Sequence, residues 1–203
     1  MSLNADEITA LFTRDGHYLC ARWGRPVAPV VFGLDDQTLS VFSAGVRSAV
    51  AHAGHPLAET DPEMGANLMI FFCRDWTELD GIPDLGHLTG QSGLAARLDQ
   101  ADANHYQIFR FDPDGAIRAC LSFVRVQGTM AEAHPAVLAE TLAARAMLTF
   151  AMDVAASTPV AALIRAAYDP VLPAVATDPG HALRLAARMG SAAPPARGPG
   201  QPQ

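Results

Sequence analysis

Cys73, His105, His134 and Glu140 are the side chains that a catalytic reading of this chain must draw on. They lie far apart in sequence, so a small-molecule enzyme built from them, a hydrolase for example, would have to gather dispersed residues. Cys73 ends the most apolar run of the chain, Ala66 to Cys73, and is followed by Arg74 and Asp75. Strand ends often carry reactive groups in α/β proteins, and a neighbouring cation lowers a thiol pKa. Spacing assigns no histidine to this thiol, and a buried structural cysteine is the plainer reading. His52 and His55 stand three apart where a helical pattern ends. Two imidazoles so spaced can face one metal, with Glu59 or Asp61 as a third ligand. The plainer alternative is a pair of helix-end histidines, which suit the negative end of the helix dipole.

Two further groupings could hold an anion. Thr89-Gly90-Gln91-Ser92-Gly93 precedes a helical pattern, so its backbone N–H groups could cradle a phosphate, with Arg97 one turn further in. An ordinary capping loop explains it equally well. Arg118 and Arg125 on one extended run, with Glu140 and Arg145 on the next helix, could line a groove that grips a carboxylate or a peptide. The simpler expectation is a solvated face with scattered ion pairs of little energetic weight. GxGxxG, Walker, CxxC, HExxH and GxSxG motifs are all missing. No cofactor is implied.

Composition narrows the classes further. With 203 residues, 50% of them hydrophobic and 17% charged, the chain can bury a full core. A formal charge of −7 argues against general affinity for nucleic acid or an anionic membrane. All 14 basic residues are arginine, which excludes Schiff-base, phosphate-loop and general-base lysines. GC-rich coding is the ordinary cause of such a bias. Cys20, Cys73 and Cys120 sit singly in apolar runs, as buried thiols do in a reducing compartment. The first residues are acidic where a signal peptide would be basic, and no apolar run reaches the roughly 18 residues of a membrane span. The expectation is a soluble cytoplasmic protein.

The elements that must position these residues follow from periodicity and turn chemistry. A short helix over 4–12, capped by Asn4 or Asp6, leads through Asp15-Gly16 into a strand from His17 to Trp23. Val27 to Leu34 reads as an edge strand, because Pro26 and Pro29 lack N–H donors. Asp35-Asp36 caps a helix from Gln37 to Ala53 that Gly54 ends, and 66–73 is a central strand covered on both faces. Strand, helix and strand at this spacing form a βαβ crossover. After an irregular stretch with one helical turn at Trp76–Leu79, Ser92 caps a helix over Gly93–Ala101. Asp112-Pro113-Asp114-Gly115 turns a hairpin between 106–111 and 116–126. On its second strand Ile117, Ala119, Leu121 and Phe123 share one face, and Arg118, Cys120 and Ser122 the other. His134-Pro135 opens a long alanine-rich helix, the stretch running to about Val154. Helices over 159–168 and 180–189 follow, then a Pro/Gly-rich tail over 190–203 that is expected to be disordered. The fold class is therefore α+β, one domain over 1–189, with a mixed sheet of four or five strands and a helical C-terminal part.

This order of helix, strand, helix, apolar strand, hairpin and long helix resembles the zincin-type metallopeptidase layout. More narrowly, RWGRPVAPVVFG, GANLMIFF and IRACLSFVRV resemble a bacterial family of unknown function with that layout. In zincins the hairpin borders a cleft and the next helix carries HExxH. Aligning that helix on its only acid, Glu140, puts Ala139 and Ala143 where the metal histidines would stand. The resemblance thus implies the peptidase scaffold without the peptidase: a non-catalytic binding or interaction module for a protein or peptide partner, or for a small anionic ligand.

Overall fold

The computed structural model describes residues 2–127 and 129–191. Helix α1 (Ala5–Phe12) begins at Asn4, whose side chain accepts the Glu7 amide while Glu7 reaches back to the Asn4 N–H. That reciprocal box satisfies two orphan donors of the first turn. The expected strand from His17 to Trp23 is broken into short pairings. β1 (Thr13–Arg14) pairs with β2 (His17–Tyr18), and β3 (Cys20–Ala21) pairs with a strand near the C-terminus. Thr149 also ties this segment down, since its hydroxyl accepts from the Ala21 amide and donates to the Leu19 carbonyl. One local partner and two distant ones replace a single ladder.

β4 (Pro29–Phe32) starts at its proline and lies at the sheet edge, where the missing donor costs nothing. α2 (Asp36–Ala53) is capped by Asp35, which accepts from the Gln37 and Thr38 amides, and closes on Gly54 at φ +69°. β5 (Leu68–Cys73) follows parallel to β4, so the strand–helix–strand crossover is present. A 3₁₀ turn over Trp76–Gly81 is longer than the one turn expected, and α3 (Leu85–Thr89) is added inside the stretch read as irregular. α4 (Leu94–Gln100) is capped by Gly93 at φ +62°, not by Ser92, because only glycine takes that left-handed position cheaply.

β6 (His105–Phe111) and β7 (Ile117–Arg125) make the hairpin, with a register shift at Arg110/Phe111. α5 (Thr129–Glu132) precedes α6 (Pro135–Met147), where His134 Nδ1 accepts the Ala136 amide at 3.2 Å. α6 stops at Met147, short of the stretch to Val154, because Leu148 turns extended and bridges to Arg22. α7 (Thr158–Ala167), β8 (Val175–Ala176, the partner of β3) and α8 (His181–Ser191) complete the chain. Residues 190 and 191 belong to α8, and residues 192–203 of the expected tail lie outside the described residues.

The main sheet has four strands in the order β4-β5-β7-β6, with β6 alone antiparallel to its neighbour. The class is α+β, as its mixed sheet, crossover and hairpin require. One face packs on α2 and α6 through Leu68, Ile70, Phe72, Cys120 and Val124. The other covers Trp76, Leu79, Leu94 and Leu98 with Leu121 and Phe123. β7 is therefore buried on both faces over most of its length; only Arg118 near its start stays part-exposed, paired with Glu63 as a solvated face would have it. Arg125, expected on a solvated face, is only 6% exposed; it reaches Asp99, Asp102 and the Asn104 side chain and lies 5.8 Å from the Trp76 ring. Where α2 meets α6, a Cβ on Gly45 would stand 2.8 Å from the Ala139 Cβ, so the helices touch backbone to backbone.

Candidate functional site

β6 is the one strand of the main sheet whose edge both faces open space and carries polar side chains. Its backbone direction follows from the hairpin register. The Arg125 amide donates to the Asn104 carbonyl at one end, and the Asp112 amide to the Ala116 carbonyl at the other. In an antiparallel ladder bonded and non-bonded pairs alternate. The even residues 104, 106, 108 and 110 thus spend their backbone groups on β7, while His105, Gln107 and Phe109 direct theirs outward. Among the described residues no hydrogen bond reaches those outward groups.

The outward edge lines a trough. One cavity of about 280 Å³ runs between Tyr106, Ile108 and Phe111 on β6 and Phe12, Leu19 and Phe150 opposite. A second, of about 300 Å³, continues it past His105, Arg145, Phe150 and Asp153. Arg14, Gln107, Phe109 and Ala151 border both, so the two form one channel. Each lies near the lower end of the roughly 300–1,000 Å³ that ligand sites enclose.

The polar end of the channel is built around His105, whose side chain is 5% exposed. Its Nε2 lies 3.0 Å from Ser122 Oγ. Its Nδ1 lies 3.3 Å from Asp153 Oδ1 and 3.1 Å from an Arg145 terminal nitrogen. Those last two contacts compete, because the carboxylate can only accept and the guanidinium can only donate. One ring nitrogen cannot serve both. Arg145 is fixed by its Nε bond to the Val154 carbonyl at 2.7 Å and shares Asp153 at 3.3 Å. Burial lowers the Arg145 pKa, and the Asp153 charge offsets part of that. The His105 hydrogen bond holds the Asp153 carboxyl below its ordinary range against the opposing effect of burial, with help from Arg145.

Ser122, His105 and Asp153 occur in the order of a nucleophile, base and acid chain. Ser122, however, is 2% exposed in mid-strand and is not among the residues lining the channel. As folded, the serine anchors the imidazole.

The other sequence candidates are separated. Cys73 is buried, its thiol donates weakly to the Val124 carbonyl at 3.6 Å, and burial with Glu78 and Asp75 nearby pushes its pKa up to about 11. The cation that acts on it is Arg125, not the adjacent Arg74, and it opposes those effects without reversing them, which suits the plainer reading of a buried structural cysteine. His134 is engaged as a helix cap. His52 and Glu140 do share a cavity, of about 410 Å³ between α2, α6 and α7. There His52 Nε2 lies 2.9 Å from the Ala161 carbonyl, whereas His55 Nε2 lies 2.8 Å from the Arg25 carbonyl. The two imidazoles are committed to different backbone partners. Among the described residues no group of three or more His, Cys, Asp and Glu is placed to hold a metal ion. In the Thr89–Gly93 loop Arg97 bonds the Gln91 side chain. Ala139 and Ala143 are 1% and 2% exposed, packed inside the core.

Sequence reasoning named His105 and Arg145 but missed Asp153, which both reach, and the contact of His105 with Ser122. The hairpin turn was the available signal: counting back from Asp112–Gly115 sets His105 near Ser122 on one face. Among the described residues no helix is long and apolar enough to cross a membrane. Comparison with protein-family models, with curated proteins and with solved structures finds no match for this chain.

Proposed function

We propose that this chain is a non-catalytic binding module, laid out like a zincin without its metal motif, that takes an extended peptide along the free edge of β6. The observation carrying this reading is the set of outward backbone groups of His105, Gln107 and Phe109 facing an open channel. A peptide strand added there gains main-chain hydrogen bonds and finds pockets for alternate side chains. Natural sheets commonly blunt an edge with proline, a bulge or a covering element. β6 has no proline, and its irregularity comes only at Arg110/Phe111, at the end of the channel far from His105.

The test is an immobilised library of extended hexapeptides, with hydrogen exchange read at single amides. Bound peptide should slow exchange at His105, Gln107 and Phe109 and leave Tyr106 and Ile108 unchanged. Gln107→Pro removes one outward N–H and should abolish binding while the sheet stays folded, since an edge strand tolerates proline on that side. Gln107→Ala removes only the side chain and its 3.0 Å contact with Cys120 Sγ, and should still bind. Binding that leaves exchange at the odd residues untouched defeats the proposal.

A second reading, a hydrolase, draws on the Ser122–His105–Asp153 chain. Esterase or peptidase turnover lost in Ser122→Ala would favour it over the binding module. Turnover lost in Glu140→Gln would instead point to the cavity between α2, α6 and α7.

A further inference from the structure

We infer that the polar end of the channel receives the free C-terminal carboxylate of a peptide that pairs antiparallel to β6. This inference rests on the β6 edge as the binding surface. Three features lead to it.

The first is charge. The chain as a whole carries −7, yet Arg14, His105 and Arg145 line this end together with one carboxylate, Asp153, which His105 and Arg145 reach. Arg14 donates to the Ala151 carbonyl, and among the described residues no carboxylate lies within ion-pair distance of it. Arg145 uses Nε and one terminal nitrogen internally, and no hydrogen bond among the described residues reaches the other. Two guanidiniums against one acid leave a site suited to one more anion, and an arginine fork matches a carboxylate.

The second is polarity of the strand. The cationic end is the start of β6, at His105. A strand that pairs antiparallel to β6 therefore finishes there, with its C-terminus. A parallel strand would bring its N-terminal ammonium to the arginines.

The third is where pairing stops. His105 is the last residue with free outward groups, because the next one along, Ala103, donates its amide to the Leu98 carbonyl and accepts from Trp76 Nε1. Five residues from His105 to Phe109 span about 13 Å at roughly 3.3 Å per residue, so a short peptide fills the edge and ends beside Arg145. Its carboxylate also resolves the competition at His105. Once Arg145 turns to the ligand, Nδ1–H is free to donate to Asp153, and Nε2 accepts from the Ser122 hydroxyl.

The experiment uses the full chain and one hexapeptide library in three forms: free acid, C-terminal amide, and amide with aspartate at the last position. The expected result is at least tenfold tighter binding of the free acid, a preference that falls with added salt. Arg14→Gln, at an exposed site, should cut the preference without unfolding the protein. Arg145→Gln should abolish it and leave amide binding in place. Equal binding of acid and amide overturns the carboxylate assignment while the β6 reading survives. Binding of none of the three forms removes the β6 reading itself. An aspartyl amide that matches the free acid reassigns the cations to a side chain. Affinity that appears only after residues 192–203 are deleted makes the chain's own end the occupant and overturns a separate partner. A concentration-dependent dimer abolished by Gln107→Pro does the same in favour of a second copy.

Discussion

Asn67→Ala should cost this fold more than most single truncations, and the cost can be worked from its contacts. Asn67 is fully buried between the starts of β4 and β5. Its side-chain oxygen accepts the Ala28 amide at 2.7 Å, and its side-chain nitrogen donates to the Pro26 carbonyl at 2.8 Å and to Asp61 at 3.1 Å. The backbone of Asn67 meanwhile ties β4 to β7, donating to the Ala28 carbonyl and accepting from Cys120. Truncation leaves the Ala28 N–H buried with no acceptor, at about 1–3 kcal/mol, and removes a bond to a charged group worth about 1.5–3 kcal/mol. The Pro26 carbonyl, on an exposed residue, can turn to water and adds little. The sum is about 2.5–6 kcal/mol, or a fall in Tm of about 5–24 °C for a chain of this length. Urea unfolding followed by the fluorescence of Trp23 and Trp76 measures it, with an unchanged slope expected if the transition stays two-state. A loss below about 1 kcal/mol would mean that water or a local shift satisfies Ala28, and the reasoning from buried donors would fail.

Two more outcomes are specific. Burial would raise the Asp61 carboxyl, but bonds from the Glu63 and Met64 amides and from Asn67, together with the Arg25 charge, bring it below its ordinary value. A depressed carboxylate stabilises the fold above its unfolded pKa of about 3.9, and that contribution is lost as pH falls through the folded value. Asp61→Asn should therefore flatten the loss of stability below about pH 4 in acid titrations followed by circular dichroism; an unchanged acid limb contradicts this. Burial raises the Cys20 and Cys120 thiols to about 12 and Cys73 to about 11. Ellman's reagent at pH 8 should label none of the three in the folded protein and all of them in denaturant, and rapid labelling of Cys73 would reopen its nucleophilic reading.

What was legible in the chain was local chemistry. Asn4, Asp35, Gly54 and His134-Pro135 each mark a helix end through contacts within a few residues, and each marks it in the structure. The uninterrupted apolar run before Arg74 gave the central strand for the same reason. The segment from His17 to Trp23 misled because its pairing partners, Val175–Ala176 and Thr149, lie over a hundred residues on. Arg125 misled likewise: an arginine in a strand pattern looks solvent-facing until Asp99 at the end of α4, with Asp102 and Asn104 in the loop after it, folds over it. The polar cluster at His105 needs contacts 17, 40 and 48 residues away, and only the first was within reach of hairpin counting.

The geometry of α6 bears most directly on whether this scaffold binds or cleaves. Glu140 and Arg145 are five residues apart, which places them about 140° apart around a helix of 3.6 residues per turn. Glu140 accordingly lines the cavity shared with α2 and α7, and Arg145 lines the channel beside β6. Between them Ala139 and Ala143 face the core, Ala139 against Gly45 at a distance that leaves no room for a larger side chain. A histidine at Ala139 would have to force α2 from α6, not merely turn toward a substrate. The group that α6 delivers to the edge strand is then a guanidinium, desolvated and only partly offset by Asp153. A guanidinium has no accessible neutral form and no lone pair to lend to a metal or a proton transfer. It can hold an anion against a strand, and that is chemistry for recognition.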